Sequence, residues 1–250
     1  MRIARTARGW ARLDGELSHR LDAPPWLGGR ETGETLLAAA LEAPVAPSKI
    51  ICIGRNYRAH AEELGHAVPT EPLLFLKPPS SLLAPGGVIE LPPESARVDF
   101  EGEVAVVIGR RGRRIREADA AAYVFGITCA NDVTARDLQQ RDVQFTRAKG
   151  FDTFCPIGPW IETEPPPLDA LELVTRVDGE VRQRARTDRM LFSIAHLVAY
   201  ASGVMTLEPG DVILTGTPEG VGPLTGGQQV EVEIAGVGVL ANRVAASVVA

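Results

Sequence analysis

The sequence predicts a mainly β (α+β) fold, in which a few short helices are inserted between strands. Two observations lead to this prediction: short apolar runs recur along most of the chain, and 25 glycines and 19 prolines separate them as turns. Helical spacing is confined to short stretches, so the sequence does not predict the regular strand–helix alternation of a parallel α/β fold. At 250 residues, the chain is long enough for one large domain, alone or with a small appendage.

The first part of the chain reads as a small unit. Short strands are predicted around a turn at Asp14–Gly15, and a short helix that proline ends is predicted over Gly33–Pro44. The segment Ala43–Ser48 has the composition of a linker. The sequence therefore predicts a small N-terminal domain over residues 1–46 and a larger domain over residues 47–250.

The larger domain is predicted to consist mostly of strands. The predicted strands and hairpins span residues 49–54, 72–78, 87–92, 98–109, 124–132, 172–187, 211–216 and 228–244. The predicted helices span residues 58–65, 116–123, 134–143 and 193–203.

Composition excludes several classes of function. A net charge of −6 leaves no excess of Lys and Arg to neutralise phosphates, so nucleic-acid binding is not expected. Three widely spaced cysteines, Cys52, Cys129 and Cys155, form neither a disulfide framework nor a zinc pattern, which favours a reducing, cytoplasmic location. We expect no membrane association, because no apolar run is long enough to span a bilayer and the N-terminus lacks a signal-peptide core.

Acidic residues alternate along the predicted strand at 98–109. Asp99, Glu101 and Glu103 share one face, and apolar residues follow at once. Neighbouring carboxylates beside a core are unfavourable unless a cation neutralises them. Asp132 ends another apolar run, and carboxylates without histidine or cysteine suit Mg²⁺ or Mn²⁺. From spacing alone, a metal site and a solvated strand end both remain open.

Three other features invite a chemical interpretation. His60 and Glu63 lie three residues apart on a predicted helix, as a general base and its partner would, or as an exposed surface pair would. Only three of the 26 basic residues are lysines, which suggests that each is used where a compact charge is needed and arginine would not serve. Lys149 is one of them, although taken alone it would be interpreted as a surface residue. The loop Leu214–Gly222, with the Thr217 hydroxyl, suits an anion or simply a tight turn.

Taken in order, these segments resemble the fumarylacetoacetate hydrolase (FAH) family, in its acylpyruvase and 2-hydroxyhepta-2,4-diene-1,7-dioate isomerase-like branch. The matching motifs are GRNYRAHAEELG, FLKP, FEGEVAVVIG, NDVTARDLQ, RAKGFDTFCPIGP, FSIAHLVAYAS and LEPGDVILTGTPEGVGP, which cover most of residues 49–245. The resemblance implies a mixed β-roll or β-sandwich core with short helices, a small variable N-terminal domain and a homodimer.

The resemblance also implies a set of site residues. Mg²⁺ or Mn²⁺ would be held by Glu101, Glu103 and Asp132. The catalytic residues would be His60 and Glu63, which activate water, Lys149, which lies beside the metal, and Gln139, which contacts the oxyanion or the substrate. The contacts to a substrate carboxylate would be Arg136 and Thr217.

The implied substrate is a small 2-oxo acid of aromatic-compound catabolism. Hydrolysis of a C–C bond in an acylpyruvate such as fumarylpyruvate, through a metal-bound enolate, is our first interpretation, because the His60–Glu63 pair is complete. Isomerisation, decarboxylation or keto–enol tautomerisation of related diacids is the alternative, since these reactions share the enolate. A non-catalytic, metal-stabilised binding module is a more distant third.

Overall fold

The mainly β fold with short helices is confirmed in a computed structural model, which describes residues 1–37 and 40–246. The strands are β1 Arg2–Thr6, β2 Gly9–Asp14, β3 Leu17–Leu21, β4 Glu31–Leu37, β5 Leu41–Glu42, β6 Ile50–Gly54, β7 Leu73–Lys77, β8 Leu82–Leu83, β9 Val88–Leu91, β10 Val98–Phe100, β11 Gly102–Ile108, β12 Val124–Asn131, β13 Thr134–Ala135, β14 Cys155–Glu162, β15 Glu172–Val177, β16 Glu180–Arg186, β17 Val212–Leu214, β18 Gly222–Pro223, β19 Gln229–Ile234 and β20 Gly238–Ala246. The α-helices are α1 Arg58–Glu63, α2 Arg136–Arg141, α3 Thr146–Gly150 and α4 Ile194–Val204. The 3₁₀ helices are Pro25–Leu27, Pro79–Ser81, Glu117–Tyr123 and Thr187–Arg189.

The strands form three sheets with mixed directions. The large sheet has the order β4-β3-β2-β1-β14-β12-β11-β17-β6-β7, with β5 on β1 and β8 on β14. A five-stranded sheet has the order β16-β15-β19-β20-β9, and β13-β10-β18 form a small third sheet. Most neighbours are antiparallel, whereas the pairs β17–β6, β20–β9 and β8–β14 are parallel.

The N-terminal strands continue the large sheet, because β1 pairs with β14 at Arg2–Glu162 and Ile3–Ile161. The domain boundary after residue 46 stays a prediction. The helix predicted over Gly33–Pro44 is wrong: residues 33–37 lie in β4, residues 41–42 lie in β5, and residues 40, 43 and 44 belong to no helix or strand. Residues 38–39 lie outside the described residues. The alanines and leucines there have high helix propensity, but antiparallel pairing of β4 with β3 overrides it.

The single strand predicted over residues 98–109 is also wrong, because it is interrupted at Glu101. The first piece, β10, pairs with β13 and β18, whereas the second piece, β11, pairs with β12 and β17 in the large sheet. Glu101 therefore lies where the chain passes from one sheet to another. Helix α3 was not predicted, and the helix predicted over 116–123 is of the 3₁₀ type.

Strand β11 is buried on both faces. Its residues Val104, Val106 and Ile108 join the core between the large sheet, the five-stranded sheet and α4. Ala105 and Val107 join a second core, to which Ile3 and Leu21 of the N-terminal strands also contribute. Burial on both faces explains why this strand reads as a continuous apolar run after its acidic start. Among the described residues, no helix has the length and apolar character needed to cross a membrane.

We predict that the core of the five-stranded sheet is sensitive to truncation. Leu173 in β15 is 1% exposed, so Leu173→Ala should lower the free energy of unfolding by about 2–5 kcal/mol through lost burial and a cavity. Leu37→Ala in β4, where the side chain is 74% exposed, is the matched control and should change it by less than about 0.5 kcal/mol. Urea unfolding measures both, and equal losses would contradict this description of the core.

Candidate active site

A cavity of about 290 Å³ opens beside the junction of β10 and β11. Eight of the nine predicted site residues line it: His60, Glu101, Glu103, Asp132, Arg136, Gln139, Lys149 and Thr217. Glu63, the ninth, does not line the cavity but lies next to His60. The fold thus gathers residues from α1, β11, α2, α3 and three connecting segments, while their chemical roles stay predictions.

Three carboxylates form a cluster on the cavity wall. Oxygens of Glu101, Glu103 and Asp132 all lie within 4.8 Å of one another, and all three residues are buried. Antiparallel pairing of β11 with β12 places Gly102 opposite Asn131, so the two glutamates meet the aspartate that follows β12. The Asp132 backbone N–H donates to the Glu101 carbonyl at 2.8 Å, which fixes this juncture.

The Lys149 ammonium lies inside this cluster. Its Nζ donates to Glu101 Oε2 at 2.8 Å, to Asp132 Oδ2 at 2.6 Å and to Thr134 Oγ1 at 2.8 Å. Burial alone would lower the pKa of Lys149, but attraction to Asp132 and Glu101 outweighs burial and raises it. Lys149 is therefore protonated, and it is not the surface lysine that the sequence left as an alternative.

A second buried lysine, Lys77 at the end of β7, was missed by the sequence analysis of the site. Its Nζ donates to Asp132 Oδ1 at 2.6 Å and to the Val133 carbonyl at 3.3 Å. Each oxygen of Asp132 therefore accepts from one ammonium. The scarcity of lysine was the signal that could have found it, since the third lysine, Lys49, also pairs with a buried acid, Asp211.

Arg136 on α2 connects the cluster to its surroundings. Its guanidinium donates to Asp99 Oδ2 at 2.9 Å, to Gln139 Oε1 at 2.6 Å and to Glu101 Oε1. Burial raises the pKa of Glu101, but Lys149 and Arg136 outweigh burial and lower it. Because the carbonyl oxygen of Gln139 accepts from Arg136, the amide NH₂ of Gln139 is the group left to donate to a ligand.

Glu103 is the carboxylate without a counter-charge. One of its oxygens accepts from the Gly216 backbone N–H at 2.6 Å, and no Lys, Arg or His within residues 1–37 and 40–246 forms an ion pair with it. Burial, together with repulsion from Asp132 and Glu101, raises its pKa well above the ordinary value. Three converging carboxylates, one of them uncompensated, are a hard-oxygen ligand set that suits Mg²⁺ or Mn²⁺.

His60 faces the same cavity from α1. It is 4% exposed, and its Nδ1 lies 3.4 Å from Glu63 Oε2. The Gly220 backbone N–H donates to both oxygens of Glu63, at 3.1 and 3.3 Å, which holds that carboxylate in place. Burial lowers the pKa of His60 even though Glu101 and Glu63 oppose this shift, so the imidazole is neutral at physiological pH.

Arg55 is a second cavity residue that the sequence analysis missed. It follows β6 with a positive φ of 58°, a backbone conformation that is uncommon for residues other than glycine. Arg55 lines the cavity, and it forms no ion pair with any residue in the described part of the chain. The cavity therefore contains a cation that is free to meet an anionic ligand.

The sequence and the fold of the chain are similar to those of other proteins. The family model described as Fumarylacetoacetate (FAA) hydrolase C-terminal matches residues 49–245. An oxaloacetate tautomerase of Arabidopsis thaliana is 49% identical over 196 residues, which cover 76% of this chain and 87% of the relative. An oxaloacetate decarboxylase of Dictyostelium discoideum is 47% identical over 194 residues, which cover 75% of this chain and 89% of the relative. A crystal structure of 5-carboxymethyl-2-hydroxymuconate delta-isomerase from Mycobacterium smegmatis has a TM-score of 0.91 at 43% identity, over 99% of this chain and 100% of that one. These similarities confirm the resemblance found in the sequence motifs.

We predict that Glu103→Gln stabilises the protein in a metal chelator, and increasingly so as pH rises. Because the pKa of Glu103 is raised, its native carboxyl favours folding at low pH, and this contribution is lost as pH rises from the ordinary value of 4.5 through the raised one. Glutamine keeps an acceptor for Gly216 and removes the charge. Chelated wild type and variant are compared by urea unfolding at pH 5 and pH 8.

Glu162→Gln is the matched control, because it should change the stability in the opposite direction. Burial raises the pKa of Glu162, but hydrogen bonds from the N-terminal amine and the Glu164 N–H outweigh burial and lower it. Its charged form therefore favours folding above the ordinary pKa, so its removal should destabilise the protein at pH 8. A loss of stability at pH 8 in Glu103→Gln as well would contradict the uncompensated charge.

Proposed function

The chain belongs to the fumarylacetoacetate hydrolase family, and we propose that it is a divalent-metal-dependent enzyme that transfers a proton at the carbon beside the 2-oxo group of a small dicarboxylic acid. This reaction class includes keto–enol tautomerisation and double-bond migration in 2-hydroxydienoic diacids. The relatives named tautomerase and isomerase support it. Hydrolysis of an acylpyruvate, our first interpretation of the sequence, becomes the second candidate.

One observation carries the proposal: a buried, neutral imidazole shares the cavity with the acid cluster. Glu63 contacts Nδ1 of His60, which favours the tautomer that carries its proton there. The second ring nitrogen, Nε2, then has its lone pair available to the cavity. His60 can therefore accept a proton from a substrate carbon and return it to another position, and Glu63 stabilises the imidazolium in between.

The acid cluster would hold the cation through Glu101, Glu103 and Asp132. The chemistry that such a cation supplies when bound is Lewis acidity toward the oxygens of a 2-oxo acid, which makes the adjacent C–H more acidic. Lys149 would contribute a fixed positive charge beside the same oxygens. The Gln139 amide NH₂ would donate to substrate as a neutral group.

Charge and size favour a small dianion as the substrate. Around the cavity, four buried carboxylates, Asp99, Glu101, Glu103 and Asp132, meet three buried cations, Lys77, Arg136 and Lys149, and the exposed Arg97 also pairs with Asp99. A divalent cation would make this set positive, which suits one carboxylate. Arg55, without an ion pair in the described residues, suits a second one. A volume of about 290 Å³ lies at the lower limit of ligand pockets, so the substrate must be small.

Decarboxylation and hydrolysis are related candidates. The decarboxylase relative supports the first. Loss of CO₂ from a 2-oxo diacid leaves an enolate of the shorter acid and tautomerisation passes through an enolate of the intact one, so both need the same stabilisation of negative charge on the 2-oxo oxygen. Hydrolysis would use His60 to deprotonate water instead of carbon, so the residues alone do not separate the two. A non-catalytic module would need neither the buried imidazole nor the Lys149 ammonium.

Direct assays separate these candidates. We expect turnover of enol-oxaloacetate or 2-hydroxyhepta-2,4-diene-1,7-dioate, followed by ultraviolet absorbance, with Mg²⁺ or Mn²⁺ and none with a chelator. Pyruvate release from oxaloacetate and from fumarylpyruvate measures decarboxylation and hydrolysis in parallel. Fumarylpyruvate cleavage that is faster than every proton-transfer reaction would overturn the proposal in favour of hydrolysis.

We predict that His60→Ala lowers kcat by about 10²-fold or more, the usual contribution of a positioned general base, while Mn²⁺ affinity is unchanged. Because burial lowers the pKa of His60, the wild-type acid limb of kcat/KM should lie below pH 6.5. Glu63→Gln should move that limb to still lower pH, since Glu63 raises the pKa of His60. Steady-state pH profiles test this, and an unmoved limb would exclude His60 as the titrating base.

Lys149→Arg should lower kcat/KM at least about tenfold, or about 1.4 kcal/mol. A planar guanidinium is larger than an ammonium and cannot direct three donors from one nitrogen at Glu101, Asp132 and Thr134. Lys49→Arg is the matched control, because Lys49 pairs with buried Asp211 outside the cavity. Steady-state kinetics decides, and near-wild-type activity in Lys149→Arg would remove this lysine from the catalytic set.

A further inference from the structure

Gln183 is the one buried residue of strand β16, whose other residues are exposed or half-buried. Its side chain is 1% exposed and does not line the cavity. A strand on the edge of a sheet has no need of a buried amide for solubility or for pairing. A buried amide is retained at a cost unless its hydrogen bonds are made, so the partners of Gln183 indicate what it does.

All three hydrogen bonds of the Gln183 amide reach the candidate site. Its Oε1 accepts from the Gly102 backbone N–H at 3.0 Å. Its Nε2 donates to Thr217 Oγ1 at 2.8 Å and to the Pro218 carbonyl at 2.9 Å. Gly102 is the residue between Glu101 and Glu103, and Thr217 lies on the cavity wall. One amide therefore connects the peptide between two candidate ligands to the loop that faces them.

These contacts take the place of strand pairing along the edge of β11, beyond the point where β17 ends. Strand β17 pairs with β11 only from Ala105 to Val107, and Thr215 continues the contact to the Val104 carbonyl. At Gly102 the neighbour is no longer a strand. Gln183 accepts from its N–H, and the Thr217 hydroxyl donates to its carbonyl at 2.9 Å. Side chains thus complete the edge of β11 where the two glutamates must be held.

The approach of β15 and β16 to this point is close. A Cβ on Gly102 would lie 2.0 Å from Thr175 Oγ1, so only glycine fits between the two glutamates. Glycine leaves this peptide without a side chain of its own to pack. The hydrogen bonds of its backbone N–H and carbonyl therefore take over the task of fixing it.

The same loop holds Glu103. Gly216, directly before Thr217, donates its backbone N–H to Glu103 Oε2 at 2.6 Å. The Thr217 hydroxyl accepts from Gln183 and donates its single hydrogen to Gly102, so it has no hydrogen left for a substrate. A substrate contact from Thr217 would instead use its backbone N–H.

We infer that Gln183 is a positioning residue that sets the spacing of Glu101 and Glu103 and holds the loop at 216–218 against them. It touches neither the cavity nor the reacting atoms, and it acts through Gly102, Thr217 and Gly216. This inference rests on the proposed cation site, since that site is what the two carboxylates would build. Groups that orient metal ligands without binding the metal typically change the metal affinity by 10- to 100-fold.

The test compares two buried amides of similar setting. Gln183→Met keeps the length of the side chain and removes its hydrogen bonds. Asn242→Leu in β20 is the control, because Asn242 is 2% exposed and its amide bridges the Ala84 and Gly87 carbonyls at 2.9 and 3.0 Å, outside the cavity. Both variants should lower the Tm. Titration calorimetry then measures the affinity for Mn²⁺, which the Tm does not report.

We expect Gln183→Met to weaken Mn²⁺ binding at least about tenfold and Asn242→Leu to leave it unchanged. If Gln183→Met does not fold, Gln183→Asn takes its place in the test. Its side chain is one methylene shorter and cannot reach Gly102 and Thr217 at once, so it should also weaken Mn²⁺ binding. Unchanged Mn²⁺ affinity in the Gln183 variants, or equal weakening in Asn242→Leu, would overturn the inference. Wild type that binds no Mn²⁺ would overturn the proposed cation site and this inference with it.

Discussion

The structure around the cavity depends on the neutralisation of buried carboxylates. Taking one charge out of water costs several kcal/mol, so a group of four is tolerated only where cations and hydrogen-bond donors are held against it. The buried cations that do so arrive on three elements: β7 brings Lys77, α2 brings Arg136 and α3 brings Lys149. Arg97, just before β10, adds an ion pair to Asp99 from the surface. Short helices that would be marginal alone are thereby fixed by the charges they carry.

The two chemical parts of the site are carried by elements of different kinds. The carboxylates begin or follow strands that are buried on both faces, and such strands resist displacement. Helix α1, which carries His60, has six residues, and its Glu63 carboxylate accepts from the Gly220 backbone N–H in the loop at residues 214–222. The charge cluster thus stands on buried strands, whereas the candidate base stands on a short helix.

Much of the fold and of the site could be predicted because the signals were local. Asp-Gly turns mark hairpins, and alternating acids beside an apolar run marked Glu101 and Glu103. The residues that the sequence analysis missed owe their roles to contacts with residues far away in the sequence. Lys77 is part of an ordinary-looking strand, and Gln183 lies among exposed neighbours. Neither differs from its surroundings until Lys77 meets Asp132 after β12 and Gln183 meets Gly102 of β11 in three dimensions. The interruption of the predicted strand at Glu101 was missed for the same reason, because it arises where two sheets meet and no change in residue type marks it.

The position of Lys77 on β7 also affects the register in which β7 pairs with β6. In the native register with β6, Lys77 lies opposite Ile50 and Leu76 lies opposite Ile51. A slip of one residue would turn every side chain of β7 to the other face. Leu76 would then meet the carboxylate of Asp132, which would lose the ammonium of Lys77. The charge that serves the cavity thus also penalises misalignment of an edge strand, where alternative pairings would otherwise be cheapest.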